Sequence, residues 1–160
     1  MLDWPEIVLR LGVATLAGGL IGLNRDLQGK PIGLKTLGLV GLATSMVVVV
    51  VDRSGMSGTI SDATSRVIQG ILTGIGFLGA GVIFHETHHF RVRGLTSAAC
   101  AFLVACVGVA CGAGQWRIVL VALVLAFGLL VIGRPLERWL HRKLGGKDET
   151  HDKSNGSVPG

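Results

Sequence analysis

Five stretches of the chain are apolar almost without interruption, and the polar residues gather between them. They cover 7–23, 32–51, 67–84, 95–112 and 118–133, each near the roughly 20 residues that a helix needs to cross a bilayer core. A transmembrane β-barrel is excluded, because its strands alternate apolar and polar residues over only about 10 positions. The pattern therefore predicts an all-α membrane protein, a bundle of five transmembrane helices. A sixth element follows at 134–144, where Leu136, Trp139, Leu140 and Leu144 fall on one helical face and Arg138, Arg142 and Lys143 on the other. That arrangement suits a short basic amphipathic helix at an anionic membrane surface. Residues 145–160 are rich in Gly, Lys, Asp, Ser and Asn and read as a disordered tail.

Composition supports the same class. Apolar residues make up 49% of the 160 and charged residues only 16%, whereas a soluble domain carries about 25%. This excludes a disordered chain and argues against a soluble enzyme. The net charge of +5 does not point to nucleic acid, because the basic residues lie between apolar spans and in the tail. Counting Lys and Arg by loop orients the chain. Arg25, Lys30, Arg91, Arg93 and the tail outnumber Arg53, Arg66 and Arg117 on the other face. The larger set is expected in the cytoplasm, placing the N-terminus outside and the C-terminus inside. The leader from Met1 to Glu6 is acidic where a signal peptide is basic, and no small-residue cleavage site follows. The first span is thus expected to be a retained anchor, with Glu6 pairing Arg10 one turn later. Cys100, Cys106 and Cys111 crowd one span and read as small packing residues.

Lipid tails are as apolar as leucine, so the helices must associate through close backbone contact and occasional polar bonds. Small residues recur at suitable spacing: Gly12, Thr15, Gly19 and Gly22 in the first helix, Gly38, Gly41 and Ser45 in the second, and Ser97, Ala101, Ala105, Gly108 and Gly112 in the fourth. The third carries Gly70, Gly74, Gly76, Gly79 and Gly81. These five are expected to pack helices, with the third helix near the bundle centre.

Two sequence motifs suggest chemistry that their context does not support. Gly74-Ile75-Gly76-Phe77-Leu78-Gly79 matches G-x-G-x-x-G, but the dinucleotide motif needs a preceding strand and a helix N-terminus aimed at pyrophosphate. Here the glycines lie mid-span. His85-Glu86-Thr87-His88-His89 matches the zinc-protease pattern H-E-x-x-H. The segment ends at once in Arg91-Val92-Arg93-Gly94, and no later span holds a carboxylate as third ligand. No cofactor or metal site is assigned, and His85, His88 and His89 read as solvated loop residues. The five spans also hold no Asp, Glu or His, and their only basic residues, Arg10 and Lys35, are expected to snorkel from helix ends. Pumps and coupled transporters need an ionisable relay inside the membrane, so a one-chain pump is disfavoured.

The motifs resemble those of the MgtC/SapB family of bacterial inner-membrane proteins. The likeness runs through Gly19-Leu20-Ile21-Gly22-Leu23-Asn24-Arg25 and Gly33-Leu34-Lys35-Thr36. It strengthens across Arg66-Val67-Ile68-Gln69-Gly70-Ile71-Leu72-Thr73-Gly74 up to Gly81, and continues from Val92-Arg93-Gly94 to Ala99. Asn24 stands where the family commonly has Glu, and the approach to the third helix, Asp62-Ala63-Thr64-Ser65-Arg66, lacks the family's proline. The resemblance implies a short, multi-pass member without the soluble C-terminal domain of larger relatives, linked to magnesium limitation and to survival inside host cells. It further implies a non-enzymatic regulator that binds membrane partners, notably by restraining the F-type ATP synthase, and that can form homo-oligomers. The alternative is a small channel or carrier for a metal ion or neutral solute. By position within the motifs, the polar residues at helix ends are the candidate functional set. Arg25 is expected to cap the first helix with Asp26, and Asp62 to pair with Arg66 at the start of the third. Arg93, Gly94 and Thr96 open the fourth, with Thr96 as its cap.

Overall fold

The computed structural model describes residues 2–52, 62–83 and 94–143. Among these the chain is all-helical, with α1 (Trp4–Asp26), α2 (Leu34–Asp52), α3 (Asp62–Ile83), α4 (Leu95–Gly112) and α5 (Trp116–Lys143). All five helices are long and apolar enough to cross a membrane, and the chain is a multi-pass membrane protein. Several helices outrun their apolar stretches for local reasons. Pro5 stands in the first turn of α1, where a missing N–H costs nothing and the fixed φ favours helix. In α3 the polar turn from Asp62 to Arg66 is already helical. α5 continues without a break through the segment read as a separate interfacial helix, and there Lys143 Nζ lies 4.6 Å over the Trp139 ring. The tail 145–160 lies outside the described residues.

The chain divides into two compact units, residues 1–125 and 126–160. The first contains α1 to α4 and the start of α5; the second contains the rest of α5. Within the first unit, α1 packs most extensively on α2, and α4 packs against α2, α3 and α1. One face of α1 makes the core: Arg10, Ala14, Ala17, Gly18, Ile21, Gly22 and Arg25 are buried, and they recur every three or four residues as one side of a helix requires. Ala14 and Ala17 meet Val107 and Cys111 of α4 and Val119 of α5 in one cluster.

Backbone proximity holds α1, α2 and α4 together. A Cβ on Gly18 would land on the Leu37 carbonyl oxygen. One on Gly41 would lie 2.5 Å from the Ala14 carbonyl oxygen, and one on Gly112 would lie 2.7 Å from Val48 Cβ. Gly108 faces Thr44 and the Gly41 carbonyl in the same way. The small residues of α4 expected to pack, Ser97, Ala101, Ala105, Gly108 and Gly112, are all buried.

The expectation that the third helix occupies the centre is corrected. Only 11% of its span is buried, against 50% for α4. Its buried residues are Ile75 and Gly79, and a Cβ on Gly79 would sit 3.4 Å from Ala98 Cβ. Gly70, Gly74, Gly76 and Gly81 are exposed, and a Cβ on any of them would meet nothing within 4 Å. Glycine spacing marks a helix that can be approached closely, but not whether the approaching helix belongs to the same chain.

Gly41→Val should therefore destabilise the membrane unit by about 1–3 kcal/mol through overpacking, whereas Gly70→Ala should leave it unchanged. Thermal unfolding of the two variants in maltoside detergent checks this; equal melting temperatures would contradict the assigned seams.

Candidate functional site

The buried polar residues among those described are Arg10, Arg25, Thr44, Ser45 and Ser97. The Thr44 and Ser45 hydroxyls are satisfied by backbone. Thr44 Oγ1 donates to the Val40 carbonyl at 2.8 Å and lies 3.1 Å from that of Gly41, as mid-helix threonines commonly do. Ser45 Oγ donates across to the Arg10 carbonyl at 3.4 Å. The two arginines carry the charge. They sit on the same face of α1, one toward each end of α4.

Arg10 serves the C-terminal end of α4. That helix closes with Gly114 in the left-handed region at φ 70°, where the Gln115 and Gly114 amides donate to the Ala110 and Cys111 carbonyls in a Schellman turn. The Gly112 carbonyl is left over, and Arg10 Nη1 donates to it at 2.6 Å. Nε and Nη2 meanwhile donate to Glu6 Oε1 at 3.0 and 2.8 Å. A cation at a helix C-terminus also complements the helix dipole. Arg10 is only 8% exposed, so it is held within the protein and does not snorkel, while its expected pairing with Glu6 is present. Gly114 is required twice over, by its positive φ and by the guanidinium 2.8 Å from where its Cβ would stand.

Arg25 lies at the opposite end of α4. Its Nη2 donates to Ser97 Oγ at 2.7 Å, the residue is 2% exposed, and among the described residues its Nε has no hydrogen-bond partner. The expected cap of α1 by Arg25 with Asp26 is not formed. Arg25 reaches across to α4, and Asp26 Oδ2 accepts the Leu34 amide at 2.8 Å, capping α2 over the turn that Gly29 makes at φ 63°. Gly33 belongs to this arrangement, because a Cβ there would overlap the Asp26 carboxylate.

The remaining candidates are placed apart. Asp62 and Arg66 are exposed on α3 and form no ion pair with each other among the described residues. Thr96 is exposed and does not cap α4; the N-cap is Gly94 at φ 95° without a side-chain cap bond, and its carbonyl accepts the Ala98 amide at 2.9 Å. Arg93 lies outside the described residues, as do His85, Glu86, His88 and His89. No group of three or more His, Cys, Asp or Glu able to hold a metal occurs among the described residues. Sequence reasoning missed Gly18 and the link from Arg25 to Ser97. The available signal was phase: Arg10 and Arg25 lie in helical register with Ala14, Gly18 and Ile21.

Shallow apolar clefts flank this core. One of about 550 Å³ runs between α1 and α2, lined by residues including Thr15, Gly19, Leu20, Lys35 and Gly38. Another, of about 270 Å³, lies between α2 and α3, where Gly70 and Gly74 face Ala43, Thr44 and Val47.

Residues 11–139 match the family model described as the MgtC family. The chain is 38% identical over 127 residues to Protein SrpB of Synechococcus elongatus, covering 74% of this chain and 70% of that protein. It is 34% identical over 152 residues to Protein SapB of Bacillus subtilis, covering 91% and 63%. With Protein MgtC of Brucella abortus it shares 44% identity over 126 residues, covering 79% of this chain and 50% of the relative. The chain thus spans about half to two thirds of the lengths of most such relatives. No solved structure matches.

Arg10→Met, which strands the Gly112 carbonyl, should cost about 1.5–3 kcal/mol. Glu6→Gln should cost less than about 1 kcal/mol, because the Glu6 side chain is 42% exposed and its ion pair is screened. Unfolding curves of both variants test this order; a larger loss for Glu6→Gln would show that the ion pair, and not the carbonyl, needs the arginine.

Proposed function

This chain belongs to the MgtC family, and we propose that it is a non-enzymatic regulator that docks transmembrane helices of partner proteins in the bacterial inner membrane. The F-type ATP synthase is the partner that the family resemblance proposes, under magnesium limitation and inside host cells. The proposed orientation has the N-terminus outside and the C-terminus in the cytoplasm, as the loop charges suggest.

The observation that carries this reading is the glycine row of α3, whose first two members line the open cleft beside α2. Gly70, Gly74 and Gly81 recur at intervals of four and seven residues, and nothing lies within 4 Å of where their Cβ atoms would be. Beside them Phe77 is 81% exposed. In lipid, a row of glycines lets a second helix approach at backbone distance, and that contact drives association. Among the described residues of the first unit, no side chain or backbone fills the row. A partner helix gains there the same close packing that Gly18 and Gly41 provide between α1 and α2. Thr44, Ser45 and Arg10 are bonded to backbone carbonyls and Arg25 to Ser97, contacts that support a docking face rather than a relay.

Gly74→Leu separates the roles. The melting temperature of the purified variant should stay within about 2 °C of the parent, since a Cβ at Gly74 meets nothing within 4 Å and the side chain enters an open cleft, where a substitution costs little. Co-purification of membrane partners from native membranes should fall at least about tenfold, as expected for a blocked helix seam. A variant that keeps its partners would refute the docking face. Movement of ions or solutes through liposomes by the purified protein alone would replace this reading with a small channel or carrier.

A further inference from the structure

The two buried arginines meet opposite ends of one helix dipole, and among the described residues only Arg10 is complemented by a carboxylate. Arg10 stands at the C-terminus of α4, where the field favours a cation, and it also has Glu6. Arg25 stands at the N-terminus, where the field is already positive. There the Ser97 hydroxyl is its acceptor at 2.7 Å. Its Nε is buried without a partner, and no carboxylate pairs with it among the described residues. The nearest sequence carboxylate, Asp26, is engaged by the Leu34 amide. Among the described residues α4 adds further donors without an acceptor. Its N-cap is Gly94, which supplies no side-chain acceptor, so the amides of Leu95, Thr96 and Ser97 have none within the helix. A buried, unpaired cation at such a position is strongly unfavourable by itself.

From this imbalance we infer that the N-terminus of α4 and Arg25 together form an oxyanion site that takes a phosphate group. Helix amides and a guanidinium are the donor set that phosphate chemistry selects. The level in the membrane fits as well: α1 ends at Asp26 and α4 begins at Leu95, so the site lies where apolar spans give way to lipid headgroups. A phosphate seated on the Leu95 and Thr96 amides offsets both the helix field and the guanidinium, and a small swing of the side chain gives Nε its acceptor. The source is a phospholipid headgroup or free phosphate, and the inference is independent of partner docking on α3.

The test uses the full chain in maltoside and phosphate-free buffer, with thermal unfolding and native mass spectrometry. The probes are dioleoylphosphatidylglycerol, dioleoylglycerol with the same acyl chains but no phosphate, and inorganic phosphate. The phospholipid should be retained and raise the melting temperature, while dioleoylglycerol should not. Inorganic phosphate acting equally well identifies the free oxyanion as ligand; the phospholipid acting alone identifies the headgroup. Arg25→Gln should weaken phospholipid retention at least about tenfold, the usual loss for a charge-assisted bond. Ser97→Ala, which removes the hydroxyl acceptor of Arg25, should widen the difference between the two lipids and decides the matter if Arg25→Gln does not fold. The inference is overturned if dioleoylglycerol stabilises as well as the phospholipid, if no phosphate probe stabilises, if Arg25→Gln retains the phospholipid undiminished, or if Ser97→Ala leaves the difference unchanged.

Discussion

Within a bilayer, two helices gain nothing by covering leucine with leucine, so their association depends on how near their backbones can come. In this protein that distance is set where α1, α2 and α4 meet, at Gly18, Gly41, Gly108 and Gly112. The rest of the first unit follows from those contacts. Because α1 and α4 lie close, Arg10 can reach the Gly112 carbonyl and Arg25 can reach Ser97. Because α1 and α2 converge at Gly22 and Gly33, the Asp26 carboxylate meets the first amide of α2. The polar bonds depend on the apolar packing, and they fix the register of α4 along α1.

That register gives α1 a double role. It contributes one small-residue face to packing and delivers a cation to each end of a neighbouring helix. At one end every group is matched: the turn after α4 satisfies two carbonyls and the arginine takes the third. At the other end the cation meets amides that need an acceptor of their own. The membrane unit is thus electrostatically closed on one side and open on the other. Its open side carries the Gly19-to-Arg25 and Gly94-to-Ala99 motifs by which the family resemblance is recognised.

The existence of five spanning helices was legible from apolar runs alone, because bilayer thickness imposes a length that few other structures share. The stripe from Ser97 to Gly112 was legible too, and it is buried throughout. The place of α3 was not. Gly70 and Gly74 have the same four-residue spacing as Gly18 and Gly22 of α1, but hydropathy does not distinguish a neighbour in the chain from lipid or from another protein. The arginines were misread for a related reason. Position near a span end suggests snorkelling for Arg10 and capping for Arg25, whereas their angular register with Ala14 and Ile21 directs both inward. Asp26 capping α2 required knowledge of the turn at Gly29, which brings a side chain of one helix onto the next.

The obstacle at the closest seams has an evolutionary side. At Gly18 and Gly41 the first atom that a side chain would strike is a main-chain carbonyl of the neighbouring helix, which no substitution there can shorten. An enlarged residue at either position has no compensating change available opposite. Correlated substitution, which reveals contacts between paired side chains in diverging lineages, should therefore be silent where these helices are nearest, and glycine should simply be retained there.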